Sequence, residues 1–282
     1  QLFPHPVLLA SLGKMQHTVG DYRTAACTLQ GAFDEGLTAG IPAPELARWA
    51  YWLADARYWS GDMQGVIETC GRAFAALPIA RESLEAVLLN QQMAGAYGGL
   101  GDAQRFQAIS LQTAEILPSL PFCEELSSPY HHVIDAHLAR KEVARAATFI
   151  AALRSHAQAV GNLRAQAKAE FIAARTCSET GRFAEALACG EQALTLAEKA
   201  GDAATIEFCL CRLMSDALVV GEVDAAADFA ARTRACMRAA PDLGAEALML
   251  IGRVYLAIDQ PETACALLVE SIRTSTAAGF AI

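Results

Sequence analysis

Val19-Gly20-Asp21-Tyr22, Ser60-Gly61-Asp62-Met63, Leu100-Gly101-Asp102-Ala103, Thr180-Gly181-Arg182-Phe183 and Val220-Gly221-Glu222-Val223 are five versions of one short string. Their glycines stand 41, 40, 80 and 40 residues apart, and the gap of 80 leaves room for a member at Lys141, in Arg140-Lys141-Glu142-Val143. A seventh position falls at Asp259, in Ile258-Asp259-Gln260-Pro261. A self-similar period of this length is the signature of a stacked-repeat architecture. Five residues after the turn stands a small residue: Ala25, Ala146, Ala186, Ala226 or Ala264, with Val66 and Phe106 departing from the rule.

Between these turns the apolar residues recur at helical spacing, and no segment alternates as a strand would. A second breaker closes each stretch: Gly40-Ile41-Pro42, Pro78, Pro118 to Pro121, Gly161-Asn162, Gly201-Asp202 and Pro241-Asp242. Asn162, Asp202 and Asp242 are expected to cap the helices that follow, because a short polar side chain satisfies the free N–H groups of a first turn. Each unit therefore reads helix, turn, helix, loop. One such hairpin cannot bury both faces of its helices, whereas stacked hairpins can. The expected fold is all-α: a right-handed α-solenoid of about seven antiparallel hairpins in a single repeat domain. The approximate units are 4–40, 41–80, 81–121, 122–161, 162–201, 202–241 and 242–279.

Composition agrees with this and narrows the function. Of 282 residues, 54% are hydrophobic, and the net charge is −9. The acidity argues against nucleic acid, which needs a basic face to displace counterions. No apolar run is long enough to span a membrane. The nine cysteines are odd in number, include no Cys-x-x-Cys and fall among alanines. They read as reduced packing residues of a cytoplasmic protein rather than disulfides or metal ligands. The first residue is Gln1 and the last Ile282, which reads as a fragment of a longer protein.

The units resemble tetratricopeptide repeats. That pattern has a small residue, an aromatic three later, a turn glycine four later and a small residue five later. Ala94, Tyr97 and Gly101 follow it in the third unit; in the fifth the series is Ala174, Cys177, Gly181, Phe183, Ala186 and Ala193, with Cys177 standing in the aromatic place. The fourth unit, around His137 and Lys141, follows it least. The period is longer than the family's usual one, as in kinesin light chains and the helical sensor regions of large bacterial regulators.

Catalytic signatures are absent. There is no phosphate-binding glycine motif, no His-Glu-x-x-His and no nucleophile elbow, so no catalytic residues are expected and the chain does not read as an enzyme. His131-His132-x-x-Asp135-x-His137 places His131 and Asp135 on one helix face, but its spacing suits a hydrogen-bonded pair better than a metal, and no metal or cofactor is expected. Trp49, Trp52 and Trp59, with Tyr51 and Tyr58 between them, either fill the seams between units or offer an aromatic surface.

The resemblance implies that the first helix of each hairpin lines a concave groove. In that register the inward positions are Arg48, Tyr51, Asp55 and Tyr58 in the second unit, Gln91 in the third, and His131 and Asp135 in the fourth. Lys168 and Arg175 follow in the fifth, and Arg253, with Glu246 before it, in the seventh; Lys14 and His17 are the first unit's share. Gly95, Gly98, Leu138, Phe171, Ser178, Cys211, Ser215, Leu218, Met249 and Leu256 complete the set. Arg48 and Asp55 are one helical pair on that face. Such a lining suits an extended peptide or a polar small ligand. The expected function is a non-catalytic protein- or peptide-binding module, the interaction or sensor region of a larger bacterial signalling protein. Two alternatives are a small-molecule-sensing regulatory domain and a self-association scaffold giving a homo-oligomer.

Overall fold

A computed structural model describes residues 5–239 and 245–277, with the side chains of 237–246 and 275–277 excepted. Among the described residues there are 14 α-helices and no strand. They are α1 (His5–Thr18), α2 (Tyr22–Thr38), α3 (Ala43–Trp59), α4 (Met63–Ala76), α5 (Leu84–Gly99), α6 (Ala103–Ile116), α7 (Ser127–Ala139), α8 (Val143–Ala159), α9 (Leu163–Glu179), α10 (Phe183–Ala200), α11 (Ala203–Val220), α12 (Val223–Ala239), α13 (Ala245–Ala257) and α14 (Pro261–Ala277). Two short 3-10 turns, Leu117–Ser119 and Glu124–Leu126, fill the longer link between α6 and α7.

The recurring glycine has one physical cause. Each first helix ends with a residue in the left-handed region, where a Cβ is penalised and glycine is not. Gly20, Gly61, Gly101, Gly181 and Gly221 have φ between 76° and 85°. Around Gly61 the hydrogen bonds are Gly61 N–H to Tyr58 O (3.0 Å) and Asp62 N–H to Arg57 O (2.9 Å), the paired bonds of a Schellman motif. Lys141 (φ 61°) and Asp259 (φ 57°) are the two non-glycine residues with positive φ among the described residues, and they stand where the ruler lacks a glycine. Their neighbours make the same bonds: Glu142 N–H to His137 O is 2.9 Å and Gln260 N–H to Tyr255 O is 2.8 Å.

The next helix starts at once. The Asp62 carboxylate accepts from Gly65 N–H at 2.9 Å, and Asp21 and Asp102 cap α2 and α6 in the same way. Asn162 and Asp202 cap α9 and α11 as expected, whereas Asp242 lies outside the described residues. The small residue five positions after the turn is buried in every unit that carries one, and Val66 is buried in its place. Phe106 is half-buried, its ring 5.4 Å from that of His132.

Contacts divide the chain into two compact units, Gln1–Phe149 and Ile150–Ile282, with the division inside α8. In the first, consecutive helices α1 to α7 pack in order, and the first helices of successive hairpins also touch directly: α1 with α3, α3 with α5, α5 with α7. In the second, α9 to α14 pack in order, with α9 on α11 and α11 on α13. Glycines permit the closest approaches: a Cβ on Gly36 would stand 2.6 Å from Leu46 Cδ2, and one on Gly190 would stand 2.7 Å from Leu213 Cδ2. The core of the first unit gathers Phe33, Leu46, Trp49, Leu88 and Leu89; that of the second gathers Leu194, Leu210, Leu213, Ile251 and Val254.

The nine cysteines are all free thiols. Cys70, Cys177 and Cys209 are buried, but Cys27 and Cys265 are exposed and do not pack. The expectation that the cysteines fill the interior therefore fails at these two. In alanine-rich helices the inner and outer faces differ little in polarity, so the side a cysteine takes is weakly encoded.

Candidate functional site

A first helix squeezed between its neighbours has little surface left. In α9 the half-buried or exposed positions from Lys168 onward are Lys168, Phe171, Arg175, Ser178 and Glu179, and every other residue from Ala167 to Cys177 is buried. In α13 the exposed positions from Ala247 to Leu256 are Met249, Arg253 and Leu256. α9 and α13 thus each leave a narrow open stripe.

In the first unit this face carries a built polar array. Asp55 on α3 accepts a hydrogen bond from His17 Nε2 on α1 at 2.6 Å and another from Gln92 Nε2 on α5 at 2.7 Å. Three successive first helices are tied through one carboxylate that is only 17% exposed, as its His17 partner is 13% exposed. The Tyr51 hydroxyl is hydrogen-bonded to Gln92, and burial, with Asp55 and Glu125 nearby, pushes its phenol up. Aromatic rings surround the array. His17 lies edge-on to Tyr22 and Trp52, each 5.2 Å between centroids, and the Lys14 ammonium sits 4.9 Å over the Trp52 ring. Tyr22 stacks on Trp59 at 6.0 Å. Gly95 opens α5 between two rings: a Cβ there would stand 3.2 Å from both His132 Cε1 and Tyr58 Cε2.

The residues named from sequence sort as follows. Arg48, Asp55, Tyr58, Gln91, His131, Asp135, Lys168 and Arg175 are half-buried on their helices, and Arg253 is exposed. Tyr51 is buried, its hydroxyl bonded to Gln92 beside Asp55. The Gln91 Oε1 is buried without a hydrogen-bond partner. His131 Nε2 is 3.7 Å from Asp135 Oδ2. Arg175 donates to Glu179 at 2.8 Å. Glu246 lies outside the described side chains.

The pairing of Arg48 with Asp55 is not formed. Asp55 is held by His17 and Gln92, and Arg48 Nη2 instead reaches Glu125 Oε1 at 3.2 Å, across 77 residues of chain. Partial burial raises the Glu125 carboxyl, but its own backbone N–H, the Cys123 thiol, Arg48 and Lys14 outweigh this and hold it below the usual carboxylate range. Gln92, Glu125 and Asp216 are the polar groups that sequence spacing missed. Asp216 on α11 is buried and accepts from Ser178 Oγ on α9 at 2.6 Å, and burial raises its carboxyl. The tryptophans divide between the two readings: Trp49 is core, Trp52 is half-buried beneath Lys14, and Trp59 is 49% exposed. Among the described residues no group of three His, Cys, Asp or Glu side chains could hold a metal ion, and no helix is long and apolar enough to cross a membrane.

No protein-family model matches the sequence, and no curated protein does. Solved structures match the fold. A Rap protein complexed with competence and sporulation factor superposes with a TM-score of 0.69 at 11% identity, over 97% of this chain and 77% of that one. A tetratricopeptide repeat protein from Parabacteroides merdae gives 0.56 at 13% identity, over 95% and 93%. A signal transduction ATPase with numerous domains and a tetratricopeptide repeat sensor, from Pyrococcus horikoshii, gives 0.62 at 12% identity; the match covers 97% of this chain and 43% of the larger protein. The fold is that of the tetratricopeptide-type helical repeats.

Proposed function

We propose that the chain is a protein-interaction module that holds a peptide segment along the open stripes of its first helices. The observation that carries this reading is the Asp55 array, where a half-buried carboxylate, its two donors and a ring of aromatic side chains are fixed in advance across α1, α3 and α5. Groups immobilised before binding lose little entropy when a ligand arrives. Aromatic faces supply contact area and the polar atoms supply orientation. The Rap protein of the same fold was solved with a factor bound, and the ATPase of the same fold carries such repeats as a sensor. Both support the finer reading of an interaction or sensor region within a larger signalling protein.

A peptide array probed with the intact chain, followed by fluorescence anisotropy on the strongest binders, tests this. Retained peptides are expected to weaken about tenfold or more when Asp55→Asn and Tyr58→Ala are combined, the loss typical of central interface residues. Absence of any saturable peptide, with thermal stabilisation by a small metabolite instead, would overturn it in favour of ligand sensing.

A further inference from the structure

One face that every later first helix buries is open on α1. Counted back from the turn residue, the positions 12, 8 and 5 residues earlier share one environment along the chain. In α3 they are Trp49, Leu53 and Ala56, and in α13 Ala247, Ile251 and Val254, all buried. The same three places are buried in α7, α9 and α11, and in α5 Met93 alone is half-buried. In α1 they are Leu8, Leu12 and Met15, which are 53%, 47% and 68% exposed. Spaced four and three residues apart, these side chains form one continuous stripe on a single helix.

The repeats themselves say what covers such a stripe: the second helix of the preceding hairpin. A Cβ on Gly36 of α2 would stand 2.8 Å from Trp49 Cζ3, and Leu53 and Ala56 share a cluster with Leu29 of α2. Gly190 of α10 meets Leu213, the middle position of α11, in the same way. α14 is a second helix whose matching face is itself uncovered. The residue nine places after the turn is buried in every earlier hairpin, from Leu29 to Ala230, but Leu268 of α14 is half-buried. The residue 13 places after the turn is buried or half-buried in every earlier hairpin, as at Phe33 and Leu194, but Ile272 is 52% exposed. None of these α1 and α14 side chains is charged. A terminal repeat that remains solitary presents a polar outer face instead.

We infer that a second copy of this chain docks through these two faces, with α14 of one copy lying on α1 of the next as α2 lies on α3. Leu8, Leu12 and Met15 leave water together with Leu268 and Ile272, and the loss of apolar surface drives the contact. The contact joins two different surfaces, so it is heterologous, and each copy still offers its other face to a further copy. The inference stands apart from the peptide reading, because none of these residues belongs to the Asp55 array.

Sedimentation velocity of the intact chain at a series of concentrations tests this, with Leu12→Glu and Ile272→Glu as variants. The parent is expected to sediment faster as concentration rises, and each variant to self-associate about tenfold or more weakly, the loss typical of a central interface residue. Leu12→Glu keeps its α14 face and Ile272→Glu keeps its α1 face. An equal mixture of the two is therefore expected to form a dimer that grows no further. Circular dichroism spectra should match the parent's, and Met15→Glu takes the place of Leu12→Glu if that variant loses helix. A parent that stays monomeric at every concentration would overturn the inference. Self-association that survives Ile272→Glu would overturn it too, in favour of a symmetric pairing of α1 with α1. So would a mixture of the two variants that stays monomeric while the parent associates.

Discussion

Replacing Lys141 by glycine should stabilise the protein. Lys141 has φ 61°, its side chain is exposed, and the turn around it makes the same hydrogen bonds as the glycine turns. An L-residue in the left-handed region costs roughly 1–2 kcal/mol through the clash of Cβ with the following carbonyl. Glycine removes that cost but gives back about 0.5–1 kcal/mol through the larger freedom of its unfolded chain. The net gain is about 0.5–1 kcal/mol, a rise in Tm of roughly 1–4 °C if the first unit melts cooperatively. Urea denaturation followed by circular dichroism would read this as a higher midpoint at constant slope. Gly101→Ala is the converse control. Its φ is 79° and a Cβ there meets nothing within 4 Å, so any loss is purely conformational and should be about 1 kcal/mol. A Lys141→Gly protein no more stable than the parent, beside a destabilised Gly101→Ala, would refute the account of the turn at Lys141.

Three further outcomes are expected. Gly36→Ala should lower stability by about 1–2 kcal/mol in a thermal melt, because a Cβ would press on Leu46 Cδ2 at 2.6 Å and Trp49 Cζ3 at 2.8 Å, and alanine's helix preference offsets only part of that; a gain would count against the close approach of α2 and α3. Asp216 binds its proton more tightly folded than unfolded, so its contribution favours the folded state at acid pH and is lost as pH rises from about 3.8 through the raised value. Asp216→Asn should flatten that fall, and an unchanged pH–stability profile would exclude it. Thiol labelling of the native protein should modify Cys27 and Cys265 quickly, while Cys70 and Cys209, whose thiols burial pushes up to about 12, react only on unfolding.

The turns were the most legible part of the sequence, because a Schellman motif demands positive φ and glycine meets that demand almost alone. The positions at Lys141 and Asp259 were legible only through spacing, since their residue types carry no such signal. The caps at Asn162 and Asp202 were equally plain. The polar partners were not. Asp55 meets His17 and Gln92 at separations of 38 and 37 residues, close to one repeat, yet a period specifies which helices are neighbours and not which side chains bond. Glu125 reaches Arg48 from the irregular link before α7, where no periodicity exists to read. Tyr51 and Tyr58 share a helical face by spacing, but only Tyr51 is covered, and that depends on the partner Gln92 supplies.

The single open stripe also governs how such a protein can change over generations. In α9, substitutions at Lys168, Phe171, Arg175 and Ser178 alter what the open stripe presents, while every other residue from Ala167 to Cys177 is buried. On the proposed reading, most of what a ligand meets can change along this stripe while the buried residues beneath it stay fixed, although Ser178, bonded to Asp216, answers to both demands.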